Sequence, residues 1–342
     1  MNIVVLTGSE GLLGGRVADL LAHDPTVDAI VRLTPDDLDR AHDQPGSLKA
    51  RLEGATTLIH LGRSDAVAEL DGTGTAGVDI VGSRALLDAA GSVGVRAVVL
   101  LSSATVYGAW PNNPVPLTED APLRPHPALA YATHKAEVER LVAEWRDQHP
   151  DVRVAVLRPV IAVAEDTSDW LAASLWAGTS FAPGEADTPV QFVHLDDLAS
   201  AVDLARREDL DGPYNVAPDG WMRSDELRRL AGRGPRVRMP ERVSHRLAQW
   251  RWKLGMTSTP PGVVAYRVNP WVVANDRLRA AGWTPEYTNE EAYVLGDRPT
   301  GWASVSPRRR QELVLGGLAV GITGILAGIG LALRRYLKKA TG

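Results

Sequence analysis

The chain has 342 residues, 44% of them hydrophobic and 23% charged, so it is long enough for a large α/β domain and is neither disordered nor fibrous. It contains no cysteine, which excludes a disulfide scaffold, a thiolate nucleophile and any metal site built on sulfur, and we expect no metal site. The formal net charge of −5 gives no indication of a nucleic-acid-binding surface.

Short apolar segments alternate with amphipathic segments along most of the chain. Strands are predicted at residues 3–6, 29–33, 57–61, 97–101 and 152–157, and helices at 12–22, 79–90 and 132–148. All-apolar strands between amphipathic helices are typical of a parallel sheet covered on both faces, so we predict an α/β, doubly wound fold. The predicted divisions are a sheet domain, mainly 1–160, a smaller lobe, mainly 161–306 with strands returning to the sheet, and a tail at 307–342.

A glycine loop follows the first predicted strand and opens the first predicted helix. Gly8, Gly11 and Gly14 are spaced three residues apart, and Leu12 begins the helix. A dinucleotide pyrophosphate needs bare backbone N–H groups at a helix N-terminus, with glycines for the tight turn and the close approach of the backbone. We therefore predict that these four residues bind a nicotinamide dinucleotide.

The end of the second strand bears on which dinucleotide is bound. An acidic residue there takes the ribose hydroxyls of NAD, but here Arg32 stands at about that place, and its guanidinium could pair with the 2′-phosphate of NADP. This favours NADP over NAD. The alternative is an exposed arginine, with Asp36 or Asp37 serving the ribose.

Tyr131 and Lys135 are four residues apart, which places both on one face if the segment is helical. A phenol is a poor base at neutral pH, and a nearby cation lowers its pKa by stabilising the phenolate. Ser102 and Ser103 follow the fourth strand, at the carboxyl edge where doubly wound sheets bind ligands. Ser103 could hydrogen-bond a substrate carbonyl or hydroxyl.

These motifs together resemble one known family. The glycine loop, Ser-Ser-Ala-Thr-Val-Tyr-Gly at 102–108, the proline-rich loop 111–127, Tyr-Ala-Thr-His-Lys at 131–135 and Leu-Arg-Pro at 157–159 occur in the order of the extended short-chain dehydrogenase/reductase family, which includes the NAD-dependent epimerases and dehydratases. The resemblance covers about residues 2–300.

The resemblance implies a Rossmann domain, a bound nicotinamide dinucleotide and a Ser-Tyr-Lys catalytic site. By position, Tyr131 is the general acid/base, Lys135 its activator and a ribose ligand, and Ser103 the hydroxyl that polarises the substrate oxygen. Leu61, at the end of the third predicted strand, is included among the predicted cofactor contacts together with Tyr131 and Lys135.

The sequence departs from the family pattern at three places. Asp79 stands where the family commonly has an asparagine, and a carboxylate cannot donate as an amide does. Ala104-Thr105 replaces the Asp-Glu pair of sugar-nucleotide 4,6-dehydratases, which disfavours dehydration. Gly46-Ser47-Leu48 replaces a Gly-Asp-Leu motif whose aspartate resembles an adenine contact, which leaves cofactor preference open.

The C-terminal tail contains 21 uncharged residues at 313–333, with basic residues on both sides. At ~1.5 Å per residue this segment is long enough to span one bilayer core as a helix. We predict a single-pass C-terminal membrane anchor; the alternative is a buried core helix. With no signal peptide evident, the body is expected at the cytoplasmic face of a membrane. Four glycines share one helical face, which could pair two copies of the chain in a homodimer or have no specific role: Gly317, Gly321, Gly324 and Gly328.

A second candidate membrane contact is a basic amphipathic helix. Val243, Leu247, Trp250 and Leu254 form a helical stripe with basic residues mostly off it. It could lie on an anionic membrane surface or, as such stripes more often do, pack on its own domain.

The predicted function is a membrane-anchored NAD(P)-dependent oxidoreductase or epimerase that acts on a secondary alcohol or ketone, either lipid-like or a sugar nucleotide. The alternative is a non-catalytic dinucleotide-binding module that senses redox state at the membrane. Three further residues, His60, His194 and Arg158, could be either functional or structural.

Overall fold

The computed structural model describes residues 1–43, 46–62, 75–165, 181–183, 188–230, 237–239, 241–254 and 261–296. The predicted span 313–333 and its glycine face lie outside these residues. Within the described ranges, no helix has both the length and the apolar composition needed to cross a bilayer.

Six strands form one parallel sheet in the order β2-β1-β3-β4-β5-β9. In addition, β6 pairs with β8 and β7 pairs with β10. The predicted parallel α/β sheet is confirmed, and each predicted strand agrees with its observed bounds to within two residues. The strands are β1 (Ile3–Thr7), β2 (Ala29–Leu33), β3 (Thr57–His60), β4 (Ala97–Leu101), β5 (Arg153–Pro159), β6 (Ile161–Val163), β7 (Phe181–Pro183), β8 (Phe192–His194), β9 (Gly212–Val216) and β10 (Val237–Met239).

Helices cover both faces of this sheet. The helices are α1 (Leu12–His23), α2 (Pro35–Asp43), α3 (Gly46–Arg51), α4 (Thr75–Val93), a 3₁₀ helix (Ala104–Tyr107), α5 (Ala130–Gln148), α6 (Leu195–Arg207), α7 (Ser224–Leu230), α8 (Glu241–Lys253), α9 (Val263–Val268), α10 (Asp276–Ala280) and α11 (Asn289–Gly296). Helices α1 and α6 pack together, while α4 packs against α2, α3 and α5. The two groups contribute to different core clusters, one on each side of the sheet.

The apolar strands are explained by this double cover. Val4 and Leu6 of β1 belong to the core beneath α1 and α6, whereas Val5 belongs to the core beneath α4. The same alternation holds in β3, where Ile59 faces the first core and Leu58 the second. Because successive side chains of a strand point to opposite faces, a strand buried on both sides must be apolar at every position.

The sheet has an unusual edge. The common Rossmann order, 3-2-1-4-5-6, places a further strand outside the second one, but here the described chain between β2 and β3 forms the helices α2 and α3. Arg51 of α3 donates through Nη2 to the carbonyl of Arg32 at 2.8 Å. A side chain thereby satisfies a backbone acceptor of β2, and Gly46-Ser47-Leu48 begins a helix at this edge.

Residues after 160 both return to the sheet and form additional structure. Strand β9 pairs with β5 in the sheet, whereas α8 and α9 pack on each other, and each also packs on β7. Helix α9 connects this region to the carboxyl edge of the sheet, since Tyr266 donates its hydroxyl hydrogen bond to the carbonyl of Thr105 at 2.9 Å. The described residues up to 296 belong to one compact unit.

Candidate active site

The glycine loop is shaped by close contacts between backbone segments. Gly8 has φ +70°, and a Cβ atom there would lie 2.6 Å from the carbonyl oxygen of Gly62. A Cβ atom on Gly14 would lie 2.0 Å from the carbonyl oxygen of Gly8. Neither position has room for a side chain, so glycine is needed at both for the loop to turn from β1 into α1.

The N-terminus of α1 opens beside this loop. Gly11 is the N-cap residue, and no side chain caps the first turn there. The amide of Gly11 donates to the carbonyl of Gly8 at 3.2 Å, and Leu12, the first residue of α1, is 43% exposed. Uncapped first-turn amides and the positive end of the helix dipole favour an anion such as a pyrophosphate.

A cleft lies between the glycine loop, the end of β3 and the start of α2. Leu61 is buried, and its Cβ would lie 3.2 Å from a Cβ on Gly8. Gly62, which sequence reasoning missed, has φ +80° and lines the cleft. The one available signal was a glycine directly after an apolar strand. The residues lining the cleft are Gly8, Ser9, Glu10, Leu33, Pro35, Leu38 and Gly62.

An exposed arginine lies near the carboxyl end of β2, and an aspartate in the first turn of α2 already has hydrogen-bond partners. Arg32 is exposed. Asp37 accepts hydrogen bonds from the backbone N–H and the hydroxyl of Thr34, at 2.9 and 3.1 Å, in a capping-box arrangement at the start of α2. Burial raises the pKa of Asp37, but the hydrogen bonds from Thr34 and the charges of Arg51 and Arg40 together outweigh it and hold that pKa below its ordinary value.

Two further arginines flank the same carboxylate. Arg40 lies 3.4 Å from Asp37, and Arg51 lies 3.6 Å from it. Asp37 thus stabilises the start of α2 and pairs with cations. Of the two acidic alternatives for a ribose contact, only Asp36 is exposed.

Helix α5 brings Lys135 to the backbone of Gly62 at the edge of the cleft, with Tyr131 beside that lysine. The ammonium nitrogen of Lys135 lies 5.8 Å from the centre of the Tyr131 ring. The same nitrogen would lie 3.1 Å from a Cβ on Gly62, so it is directly beside the backbone that packs on Gly8. Lys135 is buried and Tyr131 is half-buried. The structure therefore places the predicted Tyr-Lys pair next to the predicted dinucleotide loop.

Ser103 lies just beyond β4 and is the N-cap of the 3₁₀ helix, which packs against α5. Its oxygen accepts from the backbone N–H of Thr105 at 3.2 Å and from the Thr105 hydroxyl at 2.9 Å. Both contacts use Ser103 as an acceptor, which leaves its hydroxyl hydrogen to be donated to a substrate oxygen. Thr105, which the sequence analysis noted only as part of the replaced Asp-Glu pair, orients this hydroxyl.

A buried ion pair fixes α5 against the sheet. Arg158, at the end of β5, bonds to Glu139 of α5 at 2.7 Å and to the Tyr107 hydroxyl at 2.7 Å. Ser102 donates to Glu139, and Tyr107 donates to Asn215 at 2.8 Å. Arg158 is thus held in a structural network, which resolves its two interpretations. Burial alone lowers the pKa of Arg158, but Glu139 and Tyr107 together outweigh burial and raise that pKa above its ordinary value.

The two histidines beside strands are also engaged by neighbouring groups. His60 lies 2.8 Å from the Thr7 hydroxyl and 2.9 Å from that of Ser83, through its two ring nitrogens. His194 is the N-cap of α6 and accepts from the backbone N–H of Asp196 at 3.3 Å. These contacts agree with the structural interpretation of both. Asp79 lies in α4, but its side chain is outside the described part, so its effect stays a prediction.

The residues around the cleft fit a nicotinamide dinucleotide. The turn at Gly8 and the uncapped start of α1 suit a pyrophosphate. Leu33, Pro35 and Leu38 give the cleft apolar walls near the end of β2, where the adenosine half of such a cofactor binds. Gly62, which packs on Gly8, also has the Lys135 ammonium beside it, so a cation lies next to the glycine loop.

Comparisons with known proteins agree with this geometry. The model of the NAD dependent epimerase/dehydratase family matches residues 4–217. The Mycobacterium tuberculosis protein Rv0501 is 26% identical over 314 residues, covering 85% of this chain and 82% of that protein.

Two solved structures show the same fold. The UDP-glucose 4-epimerase of Thermus thermophilus, in complex with NAD, superposes with a TM-score of 0.61 at 21% identity. RMD of Pseudomonas aeruginosa, complexed with NADPH, superposes with a TM-score of 0.59 at 23% identity. Each match covers 86% of this chain and 97% of the other. Since the family model matches more than half of the chain, the protein belongs to the NAD dependent epimerase/dehydratase family, as its motifs predicted.

Proposed function

We propose that the protein is a membrane-anchored NAD(P)-dependent oxidoreductase or epimerase that acts on a secondary alcohol or ketone. The observation that carries the proposal is the position of the Lys135 ammonium beside Gly62, whose carbonyl packs on Gly8. This position joins the Tyr-Lys pair to the glycine loop. A module that only bound the dinucleotide would have no need of that pair.

The cofactor supplies the hydride acceptor or donor when it is bound. Gly8, Gly11, Leu12 and Gly14 would hold its pyrophosphate at the start of α1. Lys135 would bind its ribose and, as a cation near the phenol, favour the phenolate form of Tyr131.

Proton transfer is assigned to Tyr131. In oxidation, its phenolate oxygen would accept the proton of the substrate hydroxyl as the substrate carbon loses a hydride. In reduction, the phenol would return the proton to the carbonyl oxygen. Ser103 would donate its hydroxyl hydrogen to the same substrate oxygen, held in orientation by Thr105.

The preference for NADP over NAD is supported by the end of β2. Arg32 is exposed there, and Asp37 is occupied by Thr34 and two arginines. A 2′-phosphate would therefore meet positive charge at this position, and of the two acidic alternatives only Asp36 would be open to a ribose hydroxyl.

Two substrate classes are supported by different observations. The resemblance to a UDP-glucose 4-epimerase supports a sugar nucleotide. The uncharged segment 313–333 supports a lipid-like or lipid-linked alcohol, because a single-pass anchor would hold the enzyme at the cytoplasmic face of a membrane. The glycines of that segment could also pair two copies of the chain.

A substrate screen with the full-length protein tests the catalytic part of the proposal. Sugar nucleotides and isoprenoid or sterol alcohols are offered with NADP⁺ or NAD⁺, and the matching ketones with the reduced cofactors. For an epimerase, where net oxidation is absent, product stereochemistry is read by chromatography. We expect turnover in one class, and Lys135→Met is expected to weaken both turnover and cofactor binding. Tight cofactor binding with no turnover across the panel would instead support the redox-sensing module.

The anchor is tested by fractionation. The full chain is expected to stay with membranes through washes with molar salt and alkaline carbonate. A chain ending at residue 306 is expected to be released by the same washes. If the full chain is released as well, the anchor is refuted while the catalytic assignment stands.

A further inference from the structure

Helix α8 presents an apolar stripe to solvent. Val243 is 48% exposed, Trp250 is 55% exposed and Leu254, just beyond the helix, is 56% exposed. Their spacing of seven and four residues places them on one helical face. The backbone N–H of Leu254 donates to the carbonyl of Trp250 at 3.1 Å, so the helical turn continues to this residue. Leu247, the fourth residue of the predicted stripe, is half-buried, so packing on its own domain accounts for that residue but not for the exposure of the other three.

The same region holds a strong excess of positive charge. Residues 227–275 contain ten arginines and lysines and one acidic residue, Glu241. The rest of the chain has fourteen more acidic than basic residues. Arg246 and Lys253 of α8 are exposed beside the stripe. Along the chain, this excess of basic residues therefore comes before, within and after the exposed apolar helix.

The combination of the two features selects one kind of partner. An anionic bilayer surface attracts arginine and lysine through its headgroups, and it accepts valine, leucine and tryptophan at the boundary of headgroups and acyl chains. A nucleic acid would use the charge but not the apolar stripe. A second copy would bring two strongly positive regions together, which costs electrostatic energy.

The position of α8 relates it to the catalytic site. It packs on α9. At the N-terminus of α9, a Cβ on Gly262 would lie 2.1 Å from the carbonyl oxygen of Ala128, close to the start of α5. Farther along, Tyr266 donates to the carbonyl of Thr105. Helix α8 is thus connected through α9 to the segments that carry Ser103 and Tyr131.

We propose that α8 is a docking helix that binds the surface of an anionic phospholipid bilayer through Val243, Trp250 and Leu254, with Arg246 and Lys253 on the lipid headgroups. This contact is separate from the predicted span 313–333 and goes beyond the proposed function. It would add a salt-sensitive contact of the protein body to the membrane.

The absence of native cysteine allows a single labelled site in the full-length protein. Val243→Cys carries an environment-sensitive fluorophore, and Val294→Cys, at an equally exposed position on α11, carries the same label as the control. Both proteins are reconstituted into phosphatidylserine-containing vesicles and into phosphatidylcholine vesicles, so any membrane span contributes equally to each comparison.

We expect a blue shift of the label at residue 243 in phosphatidylserine vesicles only, reversed by molar salt, and no shift at residue 294. Arg246→Glu with Lys253→Glu in the labelled protein should abolish the shift while leaving cofactor binding unchanged. Tyr131→Phe should not affect it, so a failure of the catalytic assignment is distinguishable.

Three results would overturn the docking proposal. The first is equal emission at residue 243 in both kinds of vesicle and at both salt concentrations. The second is a shift that appears without lipid and grows with protein concentration, which would identify a second copy as the partner. The third is a shift produced by duplex DNA or by RNA and not by lipid.

Discussion

The cleft beside Gly8 and the network around Arg158 both lie at the carboxyl ends of strands in the same sheet. They differ in whether their polar groups are paired with each other. In the network, Arg158 and Glu139 are buried and saturate each other, and Tyr107 completes the arrangement. In the cleft, backbone segments meet at glycines and an ammonium lies beside them. The network holds α5 in place, and the cleft leaves space for a ligand next to that helix.

The network and the cleft region each contain a tyrosine, and the two tyrosines differ in burial and in hydrogen bonding. Tyr107 is 1% exposed, bonded to Arg158 and Asn215, and burial raises its pKa to about 12 although Arg158 opposes the rise. Tyr131 is half-buried and lies beside Lys135. A buried phenol with a raised pKa keeps its proton at neutral pH, so Tyr107 is suited to structure. Proton exchange is the role that the proposed function assigns to Tyr131.

The largest expected effect comes from breaking the network. Arg158→Met leaves the Glu139 carboxylate buried without its cation, which should lower the free energy of unfolding by about 3–5 kcal/mol. Urea denaturation of the full chain measures it. Arg229→Met, which removes an exposed i,i+4 pair with Asp225, is the control and should cost no more than about 0.5 kcal/mol. Equal losses for the two variants would show that the network is not a structural centre.

The next largest effect is a difference in stability between alanine substitutions at two adjacent glycines of α1. Gly14→Ala places a methyl group against the carbonyl of Gly8, so we expect a loss of about 1–3 kcal/mol in stability and weaker cofactor binding. Gly15→Ala meets nothing within 4 Å and should gain up to about 1 kcal/mol, with binding unchanged. Denaturation and cofactor titration check both. A tolerated Gly14→Ala would contradict the close approach in the loop.

A smaller effect concerns cofactor choice at the end of β2. Arg32→Gln should weaken NADP⁺ binding about tenfold, because one charge-assisted hydrogen bond to the 2′-phosphate is lost, and should leave NAD⁺ binding unchanged. Arg96→Gln, an exposed arginine before the amino end of β4, is the matched control. Isothermal titration with both nucleotides gives the answer. An equal loss for both would remove Arg32 from the preference.

The smallest effect is a pH dependence of stability. Folding raises the pKa of Tyr107 from its ordinary value of 10.0 to about 12, so the folded state binds this proton more tightly. The resulting stability is fully present below about pH 10 and is lost as the pH rises toward 12. The stability advantage of the native chain over Tyr107→Phe should shrink by about 1 kcal/mol between about pH 9 and about pH 11. A difference that stays constant with pH would contradict the burial of Tyr107.

Sequence patterns predicted the parts of the molecule that depend on local spacing. Strands buried on both faces have to be apolar at every position, and residues four apart share a helical face, so the sheet and the Tyr131–Lys135 pair could be read directly. The glycine loop could also be placed, because it joins a strand to a helix.

Features that depend on distant contacts could not be predicted in the same way. Arg158 stayed ambiguous because its partners Glu139 and Tyr107 are 19 and 51 residues away along the chain. Gly62 belongs to no spaced sequence motif, and its role follows from its contacts with Gly8 and Lys135. The replacement of an outer strand by α2 and α3 is accompanied by a hydrogen bond from Arg51 to β2, a contact between residues 19 positions apart along the chain.

The most direct test of the central claim is Tyr131→Phe in the full-length protein, with turnover and cofactor affinity measured on the same preparation. Tyr214→Phe, which removes a hydroxyl bonded to the carbonyl of Asp211, is the control. We expect turnover to fall by about 10²–10⁴-fold with cofactor affinity retained, because only proton transfer is lost. Unchanged turnover in Tyr131→Phe would contradict the account.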